Sequence, residues 1–263
     1  MMFGPRATGT LQRVGLYLLL LLVPFSKAAV ELTFGLLLLG WLADRIRPST
    51  RSDTLWRDAR LRLLGVGLII YWVACALSIM VSGYPLLSLR ALFTKWGEYL
   101  LLFVIAMDVA RRPGVARRCA QVITWSSLGV VLEAAWQELF GRGLFRGAHA
   151  PLLHARMIGP YEIPSDLATY FMVVIPLLLV QAMTSTGWRR RPLWILLGAG
   201  VLCLARTETV GAWLGLGVGL GFVSLRHPRL RRPGLIMLAA VALVASAYLA
   251  RVGRLAGTFS TTD

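Results

Sequence analysis

Long apolar runs are the feature that most restricts how this chain can fold. The runs "VGLYLLLLLVPF" at 14–25 and "GLLLLGWLA" at 35–43 are typical of segments surrounded by hydrocarbon, and similar runs recur along the sequence. Hydrophobic residues make up 57% of the 263 positions and charged residues only 15%, more apolar surface than a soluble domain of this length can bury. Because only helices and closed barrels satisfy their backbone in lipid, we expect an all-α, polytopic membrane protein.

These apolar runs divide into nine expected spans, and the first two are both short. They meet at "PFSKA", where Pro24 breaks a helix and Lys27 requires water, so one long bent span is the alternative there. Several spans are short for a hydrocarbon core of about 30 Å at about 1.5 Å per helical residue. The expected spans are 14–26, 28–43, 63–81, 96–110, 119–140, 167–184, 193–205, 211–225 and 234–250.

The basic residues predict the orientation of the spans. Although the net charge is +16, the charges lie in short blocks between apolar runs, which is typical of membrane loops and not of a nucleic-acid surface. With a cytoplasmic amino terminus, 19 of the 28 lysines and arginines lie inside and nine outside. This bias favours one transmembrane domain over 1–263, with the amino terminus inside and the carboxyl terminus outside. The inner loops are then 1–13, 44–62, 111–118, 187–192 and 226–233.

A polar stretch on the expected outer side, "RMIGPYEIPSDLATYF" at 156–171, interrupts the apolar pattern. Pro160 and Pro164 favour an extended backbone, which prevents a helix from covering this stretch. Ser165 or Asp166 is a suitable N-cap for the helix that follows. The uncapped amide groups at that helix amino terminus would suit an anion.

Two charged side chains in this stretch are candidates for a ligand site. Arg156 precedes the helix amino terminus and would add a positive charge to an anion site. Glu162 could pair with Arg156 or act as a base. A capped surface loop with a salt bridge is the alternative, and the residues alone favour that alternative slightly.

Two further outer stretches carry charge close to the membrane. In "LCLARTETVGAWLGLGVGLG", Arg206 and Glu208 lie at a turn between two helices. The stretch "SGYPLLSLRALFTKWGEYLLL" predicts an amphipathic interfacial helix that continues into the fourth span, with Arg90 and Lys95 near headgroup level. For each of these last two residues taken alone, simple anchoring at the membrane surface is the favoured role.

The remaining polar and small residues point to structure. Gly211, Gly215 and Gly219 recur at a spacing of four, which is typical of close helix packing. The outer histidines His149 and His154 lack metal-ligand partners in the sequence and are expected in a loop. No nucleophile and base stand at a recognisable spacing, so the catalytic residue stays unknown and no metal site is expected.

Taken in order, several stretches resemble the O-antigen ligase and polymerase family of bacterial membrane glycosyltransferases. The stretch "LLLVPFSKAAVELTFGLLLL" is similar to the family's opening hairpin, and "SGYPLLSLRALFTKWGEYLLLFVI" resembles its connection between the third and fourth spans. The stretch "ARMIGPYEIPSDLATYFMVVIPLLL" resembles its arginine-containing loop, and "TETVGAWLGLGVGL" resembles the turn usually written T-x-S-R-G-A-W-L. The terminal "RVGRLAGTFSTTD" resembles the chain at the start of the family's large periplasmic loop.

The resemblance implies a function in surface polysaccharide or lipopolysaccharide assembly at the bacterial inner membrane. Family members transfer a glycan from a polyprenyl-pyrophosphate carrier to an acceptor such as lipid A-core, without a metal or other cofactor. Periplasmic arginines hold the pyrophosphate, and guanidinium groups suit this role because they bind phosphate in bidentate fashion. The family's loop arginine corresponds to Arg156, with Arg206 and Arg90 as helpers. Supporting roles would then fall to Lys95, Glu162 and Lys27.

Two departures from the family pattern restrict what the resemblance implies. Val210 stands where the family's S-R-G arginine would be, and Arg206 lies four residues earlier as a substitute. The sequence stops at Asp263, before the family's large loop and its catalytic histidine, so we expect a fragment or a truncated paralogue that is inactive alone. The alternative function is a membrane transporter or scaffold for a small anionic or lipid-linked solute, which is not an enzyme. The lipid bilayer is an expected partner in both cases, and nucleic acid in neither.

Overall fold

The computed structural model describes residues 5–46, 59–144 and 156–226, together with isolated positions between 231 and 246. Over these residues the regular structure is helical and contains no strand, which confirms the all-α expectation. The helices are α1 (Pro5–Leu22), α2 (Lys27–Arg45), α3 (Ala59–Ser78), α4 (Pro85–Ala91), α5 (Gly97–Ala110), α6 (Val115–Phe140), α7 (Pro164–Thr184), α8 (Arg190–Arg206) and α9 (Val210–Arg226). A π-helical turn at Leu92–Trp96 joins α4 to α5.

Several expected features lie outside the described residues. They are Arg146, His149, His154, Arg251, Arg254 and most of the ninth span at 234–250.

Two of the described helices are long and apolar enough to cross a membrane, judged by length and composition. They are Arg62–Val81, with a mean hydropathy of 2.3, and Pro164–Thr184, with a mean hydropathy of 1.9. None of the first is buried within the protein, whereas 44% of the second is. This composition supports membrane association for two helices, and the nine-span topology stays a prediction.

The chain groups into two compact units, Met1–Val122 and Ile123–Asp263, so that the division falls within α6. Each unit has its own packed helices and is described by itself. The expectation of a single transmembrane domain stays a prediction.

In the first unit, α1 and α2 form a closely packed antiparallel hairpin. Gln12 donates from Nε2 to the carbonyl oxygen of Gly40 at 2.8 Å, and an added Cβ on Gly15 would lie 3.1 Å from the backbone nitrogen of Leu37. Between the helices, the Ser26 hydroxyl caps α2 by accepting from the amide of Ala29 at 3.3 Å. The alternative of one long bent span is therefore wrong, because the chain reverses at the "PFSK" stretch.

The core of the first unit forms where this hairpin meets α5 and the start of α6. Its buried members are all aliphatic: Leu16, Leu37, Ile105, Val109 and Val115. The helical run that begins with α4 continues through the π turn into α5, which confirms the expected helix leading into the fourth apolar segment.

Two aspartates connect the end of α2 to the end of α5. We call the group formed by Asp44, Asp108, Trp41, Arg45 and Arg112 the aspartate cluster. Asp108 accepts from Nε1 of Trp41 at 2.9 Å and from Nη2 of Arg45 at 3.3 Å. Asp44 accepts from Nη2 of Arg112 at 3.2 Å. The Arg45 guanidinium also lies 4.7 Å from the centre of the Trp41 ring, within the range of a cation–π contact. Each of the two aspartates therefore forms an ion pair with an arginine.

In the second unit, α7 is the central helix and packs against α8 and α9. Its residues Phe171, Ile175 and Leu178 are fully buried. An added Cβ on Gly200 would lie 3.1 Å from the Phe171 ring, so the glycine permits the close approach of α8. The expected packing face of α9 is confirmed only at Gly215, which contacts Met172, because added methyl groups at Gly211 and Gly219 would meet open space.

Candidate functional site: the arginine corner

The expected turn between two helices is present where α8 ends at Arg206 and α9 begins at Val210. Thr207 in this turn is buried, and its hydroxyl donates to the carbonyl oxygen of Leu204 at 2.7 Å. Glu208 has a φ of 52°, in the left-handed region that residues with a side chain seldom adopt. This conformation bends the backbone of the turn sharply. The carbonyl oxygens of Arg206 and Thr207 face the segment of the same chain that begins at Arg156.

Arg156 is bound to this turn by two hydrogen bonds. Its Nε donates to the carbonyl oxygen of Thr207 at 2.7 Å, and its Nη2 donates to Oγ1 of Thr209 at 3.1 Å. The amide of Met157 donates to the carbonyl oxygen of Arg206 at 3.0 Å. The polar stretch before α7 is therefore docked on the α8–α9 turn, and we call the group formed by Arg156, Arg206, Thr207, Thr209 and Glu138 the arginine corner.

Arg206 has a different kind of partner. Its Nη2 forms a short ion pair with Oε1 of Glu138, near the end of α6, and both side chains are about half exposed. Glu208 makes no ion pair with a described residue and adds a second negative charge beside the turn. An anion that approaches Arg206 must therefore compete with Glu138.

The amino terminus of α7 differs from the expectation in its N-cap residue and in the conformation of Pro164. Ile163 is the N-cap, without a side-chain hydrogen bond, and Pro164 is the first helical residue. Ser165 and Asp166 lie inside the first turn, so the predicted N-cap is wrong, as is the predicted extended backbone at Pro164. Proline is favoured at this first position because it has no amide hydrogen to leave unpaired. The carboxylate of Asp166 already lies at the positive end of the helix, which makes this end a poor separate site for an anion.

Two further polar side chains of α6 bind backbone amides of the connection between α6 and α7. Gln137 accepts from the amide of Gly159 at 2.9 Å, in a turn where Gly159 has a φ of 58°. Glu133 is fully buried: its Oε1 accepts from the amide of Leu144 at 2.9 Å, and its Oε2 has no partner among the described residues. Sequence reasoning missed Gln137, although its spacing of four from Glu133 near the end of α6 was a usable signal.

Tyr161 adds a hydroxyl group to the polar stretch. Burial raises the pKa of its phenol above the ordinary value, and the nearby Tyr170 and Asp166 raise the pKa further. The phenol therefore keeps its proton at neutral pH and remains a hydrogen-bond donor. Glu162, the next residue, is exposed.

The other expected site residues belong to the first unit. Arg90 lies in the last turn of α4, Lys95 lies in the π turn, and Lys27 is the first residue of α2. All three side chains are exposed. The structure thus brings Arg156 and Arg206 to one turn, and it places Arg90, Lys95 and Lys27 in the other unit.

The described residues contain no group of three His, Cys, Asp or Glu side chains that could hold a metal ion. Comparisons with protein-family models, with curated proteins and with solved structures find no match to this chain. The geometry of the arginine corner is therefore the main guide to function.

Proposed function

We propose that this chain is the amino-terminal membrane portion of a protein similar to O-antigen ligases and polymerases. In this proposal the arginine corner binds the pyrophosphate of a polyprenyl-linked glycan at the outer face of the bacterial inner membrane. Arg156 is the main ligand and Arg206 the second. The glycan acceptor would be a second substrate, such as lipid A-core.

One observation carries the proposal: the charge of Arg156 is held in place but not neutralised. Its two hydrogen bonds go to a carbonyl and a hydroxyl oxygen, and no described carboxylate pairs with it. An arginine has about five N–H donors, so roughly three remain available for an incoming phosphate. Because the turn fixes Nε and Nη2, little side-chain entropy is lost when the remaining donors bind an anion.

The proposed topology gives this corner access to a carrier lipid. With nine spans and a cytoplasmic amino terminus, the stretch at 156–163 and the turn at 207–209 both lie outside. Alkaline phosphatase joined after residue 150 should be active, and the same enzyme joined after residue 55 should be inactive. Activity at 55 would contradict both the topology and the outer location of the corner.

The proposal is tested by the affinity of the purified protein in nanodiscs for a short-chain polyprenyl pyrophosphate. Arg156→Ala removes a charge-assisted contact worth about 1.5–3 kcal/mol, so the dissociation constant should rise about ten- to a hundredfold. Arg156→Lys keeps the charge but loses the planar fork, and it should restore only part of the affinity.

Arg142→Ala is the matched control, because Arg142 is an exposed arginine of the same unit for which no side-chain contact is seen among the described residues. This variant should bind as the parent protein does. If Arg156→Ala folds normally and also binds as the parent does, the corner does not recognise pyrophosphate and its polar residues only close a loop.

A further inference from the structure

A second place in the molecule has the form of a ligand site, and it lies in the first unit, where none of the side chains that line it is charged. A cavity of about 530 Å³ opens where the end of α3 meets α4 and the π turn. It lies at the carboxyl end of the apolar helix Arg62–Val81, which places it at a membrane boundary if that helix spans the bilayer. The cavity is lined by Cys75, Ser78, Ile79, Val81, Ser82, Ser88, Ala91, Leu92 and Trp96.

The lining combines hydroxyl groups with apolar surface and carries no formal charge. Ser78, Ser82 and Ser88 contribute three hydroxyls, and the Ser82 and Ser88 oxygens lie 2.9 Å apart in a hydrogen bond. Ser82 also accepts from the amide of Tyr84 at 3.1 Å, which fixes its position. The site is thus uncharged, has hydroxyls held in place, and falls in the size range of small-molecule sites, about 300–1,000 Å³.

Trp96 supplies the one large aromatic surface of this lining. Its ring packs edge-on against Tyr71 and Tyr99, with ring centres 5.5 and 6.3 Å apart, and these contacts orient the indole. Leu92 and Trp96 both belong to the π turn, and π turns inside α-helices are frequent at functional sites. The extra residue of this turn therefore helps to present the indole and the leucine to the cavity.

We propose that this cavity binds a neutral, polyhydroxylated ring, that is, one sugar residue. The apolar C–H face of a sugar ring packs on an indole, while its hydroxyl groups exchange hydrogen bonds with serine hydroxyls. A phosphate group would find no cation in the lining, and an acyl chain would offer the serine hydroxyls no hydrogen-bonding partner. The proposal stands on the cavity alone and does not depend on pyrophosphate binding at the arginine corner.

The sugar could come from a soluble glycan or from a lipid headgroup, and one experiment distinguishes the two. Cys75 lies in the cavity wall, so its rate of modification by a maleimide reports whether the cavity is filled. The protein carries Cys119→Ala and Cys203→Ala, so that Cys75 is the single thiol. It is placed in phosphatidylglycerol nanodiscs, because common detergents contain sugars that would compete for the cavity. The probes are maltose in solution and a glucosyl diacylglycerol mixed into the nanodisc.

Slower labelling with maltose supports the proposal with a soluble source, and slower labelling with the glucolipid alone supports it with a lipid-borne source. Ser88→Ala removes one hydrogen-bonding hydroxyl and should weaken the protection, raising the half-protecting concentration about two- to tenfold. Trp96→Leu should abolish the protection, whereas Trp125→Leu, at an exposed indole of the second unit, should leave it unchanged.

Protection is the ratio of the labelling rates with and without sugar for each variant, so that a change in access to Cys75 caused by the substitution itself is divided out. The proposal is overturned if neither probe slows labelling of the folded parent. It is also overturned if both serine and tryptophan variants are protected as well as the parent, because the sugar would then bind elsewhere.

Discussion

The aspartate cluster and the arginine corner use arginine in opposite ways. In the aspartate cluster, Arg45 and Arg112 each face a carboxylate, at 3.3 and 3.2 Å. In the arginine corner, Arg156 faces a carbonyl and a hydroxyl oxygen, and only Arg206 faces a carboxylate. The first arrangement has satisfied its charges within the fold, whereas the second holds one guanidinium in position without cancelling its charge.

The comparison indicates where a charged ligand can gain free energy. An anion at the aspartate cluster would have to separate two pairs that also anchor α2 to α5, so it would lose as much as it gained. An anion at Arg156 displaces no carboxylate among the described residues. Charge that is positioned but not balanced is thus the better marker of a binding site than the number of charges.

The largest expected effect comes from removing the carboxylate that anchors the aspartate cluster. Asp108→Ala leaves the Trp41 indole nitrogen and the Arg45 guanidinium without their acceptor, and should lower the free energy of unfolding by about 2 kcal/mol. Titration of unfolding with SDS in mixed micelles measures the change. Pyrophosphate affinity should stay at the parent value, and a loss of affinity comparable to that of Arg156→Ala would break the division between a structural and a binding cluster.

A smaller effect is expected from the backbone of the α8–α9 turn. Glu208 holds a φ of 52°, and a β-branched residue is strained there, so Glu208→Val should cost about 1–2 kcal/mol and displace the oxygens that hold Arg156. Glu208→Gly is the matched control, because glycine adopts this conformation freely and should keep both stability and affinity. Equal binding by the two variants would show that the turn does not position Arg156.

The smallest effect concerns the competition for Arg206. Glu138→Gln removes an exposed ion pair worth less than about 1 kcal/mol, so stability should hardly change. Pyrophosphate affinity should rise by about two- to fivefold, because Arg206 is released to the ligand. The gain should shrink as salt concentration increases. An affinity that falls on this substitution would mean that Glu138 positions Arg206 instead of competing for it.

The helices could be predicted largely from the apolar pattern, because the first eight apolar segments each overlap a described helix. The interruptions were harder to place. Pro164 begins α7 instead of holding the chain extended, since a proline fits the first helical position as well as it fits an extended segment. The same residue type permits both conformations, and packing of the following apolar face decides between them.

The candidate site was only partly visible in the sequence. Arg156 and Arg206 stand 50 positions apart, and family resemblance alone connected them before the fold showed that they meet at one turn. The acceptors of Arg156 include a backbone carbonyl, which leaves no trace in a residue pattern. The cavity was missed because its three serines come from α3, from the loop that follows it and from α4, and each looks like an ordinary small residue.

The π turn at Leu92–Trp96 also determines how the side-chain directions of α5 are rotated about the helix axis relative to those of α4. Before the turn, α4 directs Ser88 and Ala91 towards the cavity beside α3; after it, α5 directs Ile105, Asp108 and Val109 towards α2. Deleting one residue within the turn would rotate all later positions by about 100°, the angle between successive residues of an α-helix. Asp108 would then leave Trp41 and Arg45 even though its own residue was unchanged. The additional residue of the π turn therefore allows one continuous helical segment to face α3 before the turn and α2 after it.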